Sequence, residues 1–289
     1  MTQPSAKASD PLTGRDHPAA GEQPSTPTDP SAGRPNVLVI AGYDQSGGAG
    51  VLADIKTLEA HGVYGYAVCT GMTFQNERVI TKVQWFTEKE IFEQIDLCCQ
   101  SARFDWVKIG IGRSVKMIGS VLDHLRQHNP AIKIILDPVI RSSSGLDFWE
   151  GIDQRGFESV ADRTYLLTPN WDEVGWLYPG KDIQECCRIL SLSASCAIYL
   201  KGGHNPDHPG RDYLWSNGEA QVIEPSENGI EVYPKHGSGC VLASSLTANL
   251  ALGYPLELAA ARAKQYISQF LTSNKTLLGW HPTLKDQIR

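Results

Sequence analysis

Two patterns of apolar positions alternate along the chain. Short, unbroken runs of aliphatic and β-branched residues give way to longer stretches in which apolar side chains return every three or four positions. Asn36-Val37-Leu38-Val39-Ile40-Ala41 is the first short run and reads as a strand buried on both faces. Over residues 49–61, Val51, Leu52, Ile55 and Leu58 share one helical face, and Gly62 ends the helix. The alternation predicts further strands at 65–70, 106–109, 132–136, 165–168 and 197–200, and helices at 88–102, 115–128 and 183–192. Strand-helix alternation at this spacing predicts an α/β fold, a three-layer α/β/α sandwich around a mainly parallel sheet. The pattern breaks once. Tyr213-Leu214-Trp215 and Gln221-Val222-Ile223 flank Asn217-Gly218, which predicts an antiparallel edge hairpin. Helices at 239–252 and 256–273 close the chain, and no internal repeat is present.

Residues 1–34 follow neither pattern. They are rich in Pro, Ser, Thr, Ala and Gly and are expected to form a disordered tail ahead of one domain over 35–289. Asp10, Asp16, Glu22 and Asp29 count against an organellar targeting peptide.

Five segments able to carry chemistry fall where predicted strands end. Ala41-Gly42-Tyr43-Asp44-Gln45-Ser46-Gly47-Gly48-Ala49-Gly50 joins the first strand to the first helix, where glycines allow close approach to the backbone. It is neither a dinucleotide fingerprint nor a Walker A loop, and Asp44 reads equally well as a turn cap. His236-Gly237-Ser238-Gly239-Cys240 opens a helix, so free amides and the helix dipole favour an anion there. The same field is expected to lower the thiol pKa of Cys240. Asn170 and Glu173, three apart in Thr168-Pro169-Asn170-Trp171-Asp172-Glu173, offer hard oxygens to Mg²⁺ or simply cap a helix. Lys201-Gly202-Gly203-His204 follows a strand, with Lys201 either meeting a phosphate or solvated. Asp137 follows another strand, near Arg141.

Composition narrows the partners. A formal net charge of −6 disfavours non-specific nucleic-acid or anionic-membrane binding, and no apolar run reaches the length of a membrane span. The seven cysteines show no metal-ligand or disulfide-framework spacing, which suits a reducing, cytoplasmic compartment.

Taken in order, AGYDQSGGAGVLADIKT (41–57), FQN (74–76), KIG (108–110), LDPV (136–139), TPNWDE (168–173), KGGH (201–204) and HGSGC (236–240) resemble the ribokinase-like kinases of vitamins and sugars. More narrowly, the set is similar to the hydroxymethylpyrimidine/phosphomethylpyrimidine kinase family of thiamin biosynthesis, over nearly everything after the tail. The resemblance implies ATP and Mg²⁺ as cofactors, a small pyrimidine as substrate, and a homodimer. It places Gly42, Asp54, Gln75 and Ile111 around the pyrimidine. Gly237, Ser238, Gly239 and Cys240 become the anion hole, with Cys240 as base toward the substrate hydroxyl. Lys201, Gly202, Gly203 and Asn170 fall at the nucleotide, and Glu173 and Asp137 at the metal. Three departures stand out: Ile111 where Met is common, Pro234-Lys235 in place of Asn-Thr, and Arg141 followed by Ser142-Ser143-Ser144. A pyridoxal or pyridoxine kinase shares the fold and is the alternative. A non-catalytic ligand-binding relative is expected to have lost anion-hole or metal residues, all of which are present.

Overall fold

The computed structural model describes Met1 and residues 33–194, 196–225 and 231–282; most of the expected tail lies outside the described residues. Arg34, assigned to that tail, donates to the Gly62 and Val63 carbonyls and pairs with Glu59 at 2.6 Å. In chain order the elements are β1 (Asn36–Tyr43), α1 (Gly50–Ala60), β2 (Tyr64–Gln75), β3 (Ile80–Trp85), α2 (Glu88–Ser101) and β4 (Trp106–Ile109). There follow α3 (Val115–His128), β5 (Lys133–Leu136), α4 (Gln154–Ala161), β6 (Leu166–Leu167), α5 (Trp171–Leu177) and α6 (Ile183–Ser193). The last are β7 (Ala197–Leu200), β8 (Asp212–Ser216), β9 (Glu219–Ile223), α7 (Ser238–Ala251) and α8 (Leu256–Thr272).

The strands form one sheet in the order β3-β2-β1-β4-β5-β6-β7-β8-β9. From β2 to β7 every pairing is parallel, as the strand-helix alternation predicts. The β8–β9 hairpin turns at Asn217 and Gly218, with φ of 51° and 79°, the left-handed pair that its sequence favours. The other edge differs from expectation. β2 runs on to Gln75, and β3 folds back antiparallel beside it. Ile80-Thr81-Lys82-Val83-Gln84-Trp85 alternates weakly at a half-exposed edge and gives no strong strand signal. α4, a short helix, is also an addition to the predicted set, and α5 begins at the helix start read at Asn170–Glu173.

Residues alternating along β1 feed two cores. Leu38 and Ile40 face the side covered by α2 to α6, while Val37 and Val39 face α1 and α7, with α8 packed outside α7. Side-chain oxygens cap α2 through α6 at Thr87, Ser114, Asp153, Asn170 and Asp182. α1 and α7 have no side-chain cap. α8 has none either, but α1 and α7 are the two that open at the glycine turns. The first amide of α1, at Gly50, bonds the Cys240 sulfur.

Candidate active site

β1 lies between β2 and β4, so the chain fans out to both sides from its carboxyl end. Ligands bind at such a switch point in open α/β sheets. A cavity of about 930 Å³ lies there, lined by Gly42, Gln75, Lys108, Asp137, Lys201 and the Gly237–Cys240 turn, among others.

The first glycine turn is tied together by Asp44. Its carboxylate accepts from the amides of Ser46 and Ala49 at 2.9 and 2.8 Å, and from the Ser46 hydroxyl. It also meets His236 Nε2 at 2.9 Å, joining this turn to the second one. Burial alone would raise the carboxyl pKa, but His236, Ser46 and Ala49 together hold it below the ordinary carboxylate range. Asp44 is therefore the turn's organiser as well as a cavity wall.

At the second turn Gly237 sits at φ 74°, and a Cβ there would stand 2.0 Å from the Gly48 carbonyl oxygen. Only glycine fits both the left-handed backbone and this approach. The turn delivers Ser238, Gly239 and Cys240 as the first residues of α7, whose amides lack partners within the helix. Lys201 closes the other side, its Nζ only 3.3 Å from where a Gly239 Cβ would be. The Lys201 ammonium and the uncapped start of α7 thus lie side by side on the cavity wall, which suits a phosphate.

Below that point is an acidic cluster. Asp137 Oδ1 accepts from Lys201 Nζ at 2.7 Å and from the Thr168 hydroxyl at 3.1 Å. Its Oδ2 is buried without a hydrogen-bond partner. Glu173 lies 3.8 Å from Lys201 and is buried; that burial pushes its carboxyl up to about 7 despite Lys201, and Asp137 adds to the rise. The Lys201 ammonium is also buried, which alone would lower its pKa, but Asp137 and Glu173 raise it overall. Asn170 and Glu173 form a reciprocal capping box at the start of α5, with bonds of 2.6 and 2.8 Å. The amide oxygen of Asn170 accepts from the Glu173 amide, so Asn170 lines the cavity as the cap of α5. An orphaned carboxylate oxygen and a second buried acid are hard donors, and they fit a Mg²⁺-type cation.

A second lysine–acid pair lies beside the first. Asp54, expected at the pyrimidine, is fully buried and does not line the cavity. It accepts from Lys108 Nζ at 2.8 Å and from the Ser244 hydroxyl at 2.7 Å. Lys108 is what reaches the cavity wall, and the sequence had offered no role for it beyond the KIG run. Gly42, Gln75 and Ile111 do line the cavity; Ile111 packs so tightly on Gly42 that a Cβ there would lie 2.3 Å from its Cδ1. Gly203 lines it too, but Gly202 does not. The Gly202 amide donates to Asp212 at 2.6 Å, and a Cβ would fall 1.6 Å from the Arg211 carbonyl oxygen, so that glycine serves packing.

Cys240 corrects one expectation. The Gly50 amide and Lys108 favour its thiolate, but burial, together with Asp54 and Asp137, pushes the thiol up to about 11. The helix field does not prevail. Of the departures, Lys235 turns its ammonium onto the Asn274 and Thr276 carbonyls. Arg141 lines the cavity, paired with Asp147 and stacked 4.8 Å over Trp176.

The sequence matches the phosphomethylpyrimidine kinase family over residues 44–283. The chain belongs to that family. Named members of this kinase family are phosphotransferases. A hydroxymethylpyrimidine/phosphomethylpyrimidine kinase of Rhizobium meliloti is 34% identical over 239 residues, covering 80% of this chain and 88% of the relative. One from Saccharomyces cerevisiae is 33% identical over 250 residues, or 81% of this chain, and the match spans only 45% of the yeast protein. The crystal structure of phosphomethylpyrimidine kinase from Clostridium difficile 630 gives a TM-score of 0.69 at 29% identity, over 82% of this chain and 99% of that one. A pyridoxal kinase of Bacillus subtilis, solved as an ADP complex, shares the fold with a TM-score of 0.68 at 24% identity, over 83% and 92% of the two chains. No helix among the described residues is long and apolar enough to cross a membrane.

Proposed function

We propose that this chain transfers the γ-phosphoryl of ATP to the hydroxymethyl group of 4-amino-5-hydroxymethyl-2-methylpyrimidine, and then phosphorylates the monophosphate. The observation that carries the reading is the uncapped start of α7 facing Lys201 above the Asp137–Glu173 acids. It offers amides and an ammonium to a transferring phosphoryl group, with hard oxygens beneath. The substrate hydroxyl oxygen attacks the γ-phosphorus, the bond to the β-phosphate bridging oxygen breaks, and ADP leaves. The hydroxyl proton passes to the Cys240 sulfur when that group is a thiolate. Mg²⁺, when bound, neutralises phosphate charge; Asp137 and Glu173 are the residues to hold it. Lys201 and the amides of Ser238 to Cys240 take the phosphoryl oxygens. Gly203 supports the nucleotide edge.

Gly42, Ile111 and Gln75 form the wall for the pyrimidine ring, Gln75 offering an amide to its edge. Asp54 acts one step back, by fixing Lys108. On the cavity rim, Arg141 offers a charged donor and Ser142, Ser143 and Ser144 offer neutral hydroxyls to an acceptor that already carries a phosphate. Met72 and Phe74, exposed on one face of β2, support a homodimer through that face of the sheet, and seven free thiols support a cytoplasmic location. The test is ADP release measured separately with the pyrimidine alcohol, its monophosphate and pyridoxal. Turnover on both pyrimidines is expected. Turnover on pyridoxal with neither pyrimidine accepted would overturn the reading.

A further inference from the structure

Away from the cavity, α2 and α3 bring three metal-type ligands together. His124 and His128 are four apart on α3 and so share a face. Asp96 projects from α2 between them, and its Oδ1 lies 2.7 Å from Nε2 of both imidazoles. Each of the three residues offers one ligand atom, all within 4.8 Å of one another, beside a shallow depression also lined by Cys99. The His124 ring is held by stacking on Phe92, with centroids 4.2 Å apart and planes 9° from parallel. Two imidazoles therefore converge on one carboxylate oxygen from an ordered helix pair.

We propose that Asp96, His124 and His128 bind a borderline divalent transition ion of the zinc type, clipping α2 to α3. Two imidazole nitrogens and one carboxylate suit such an ion, whereas Mg²⁺ prefers oxygen donors alone. The site opens to solvent and leaves coordination positions for water. The His pair lies in the last two turns of α3, just before β5 begins, whereas the phosphate turn faces the carboxyl ends of the strands. None of the three residues belongs to the machinery described above, so the site is separate from phosphoryl transfer.

The test uses tag-free full-length protein, stripped of metal and dialysed, with Mg²⁺ in excess to fill hard-oxygen sites. Co²⁺ is titrated as the spectroscopic probe and then displaced with Zn²⁺. About one Co²⁺ per chain is expected, with visible absorption that Zn²⁺ abolishes. His128→Ala and Asp96→Asn, both at partly exposed positions, are expected to weaken binding roughly a hundredfold while kinase turnover and circular dichroism stay unchanged. Absence of stoichiometric binding, or equal affinity in His128→Ala, overturns the proposal.

Discussion

Two lysine–carboxylate clusters lie under one cavity, and they are satisfied to different degrees. In the first, Asp54 spends both oxygens inside the protein, one on Lys108 at 2.8 Å and one on Ser244 at 2.7 Å. In the second, Asp137 has one oxygen bound by Lys201 and Thr168, and the other faces no partner although it is buried. Glu173 is buried beside it and resists ionisation. Leaving a buried charge short of partners costs stability, so a fold retains it where a ligand completes it. The closed pair holds the floor in shape. The open cluster is where chemistry is to be expected.

The largest effect should come from breaking the closed pair. Lys108→Met leaves Asp54 buried with only Ser244, and losing one partner of a buried ion pair costs about 3–5 kcal/mol. Urea unfolding of the variant should show that loss. Asp54→Leu combined with Lys108→Met should recover much of it, because no unpaired charge remains. A Lys108→Met protein of normal stability would mean that the pair is not what shapes the floor.

The open cluster should respond chiefly in turnover. Asp137→Asn keeps an oxygen for Lys201 and Thr168 but removes the charge facing the buried ammonium, which retains Glu173 at 3.8 Å. Stability should fall by about 1–3 kcal/mol, less than for Lys108→Met. Turnover should fall roughly 10²- to 10³-fold, the usual scale for removing one charge-stabilising group from a transition state. Steady-state kinetics beside an unfolding curve checks both halves. If Asp137→Asn unfolds the protein and leaves kcat intact, the two clusters have been assigned the wrong way round.

What could be read from the chain follows from the same distinction between local and distant partners. The parallel strands announce themselves through continuous β-branched runs, and the β8–β9 hairpin through Asn217-Gly218. The Gly237–Cys240 turn was visible because its glycines and its helix start are contiguous. β3 was not, since a half-exposed edge strand carries charge on its solvent face and needs only a weak alternation. In the site, the resemblance placed Asp54 at the pyrimidine, and nothing local in the sequence shows which groups hold its carboxylate. Its partners are 54 and 190 residues away. Asp44 and His236, 192 residues apart, are joined in the same manner. Burial also reversed the expectation for Cys240: the helix start was legible, but the wall around the thiol was not.

Glu173 sharpens the contrast through pH. Its folded pKa, about 7, lies above the ordinary 4.5, because the neutral form is favoured in the buried site. A raised pKa contributes stability that is full below 4.5 and is lost as pH rises through 7. Without divalent metal, wild-type stability should therefore fall relative to Glu173→Gln across that window, by at most about 3 kcal/mol. Adding Mg²⁺ should narrow the gap, since a bound cation favours the carboxylate. A gap that is flat with pH would place Glu173 outside the open cluster.

The smallest effect at neutral pH should be at Cys240, which sits between the two clusters and feels both Lys108 and Asp137. A thiol pushed up to about 11 is almost entirely protonated at pH 7, so only a small thiolate fraction is available to accept the hydroxyl proton. Cys240→Ala should then lower kcat/KM by roughly tenfold near pH 7, well under the full range of base catalysis. The loss should grow as the thiolate fraction rises. Wild-type log kcat/KM for the pyrimidine alcohol should climb with a slope of about 1 from pH 7 towards 10, and the variant should be flat. A slope that survives in Cys240→Ala would assign the proton acceptor to another group. In that event Cys240 would be left to the closed pair, as packing beside Lys108, and the open cluster alone would carry the chemistry.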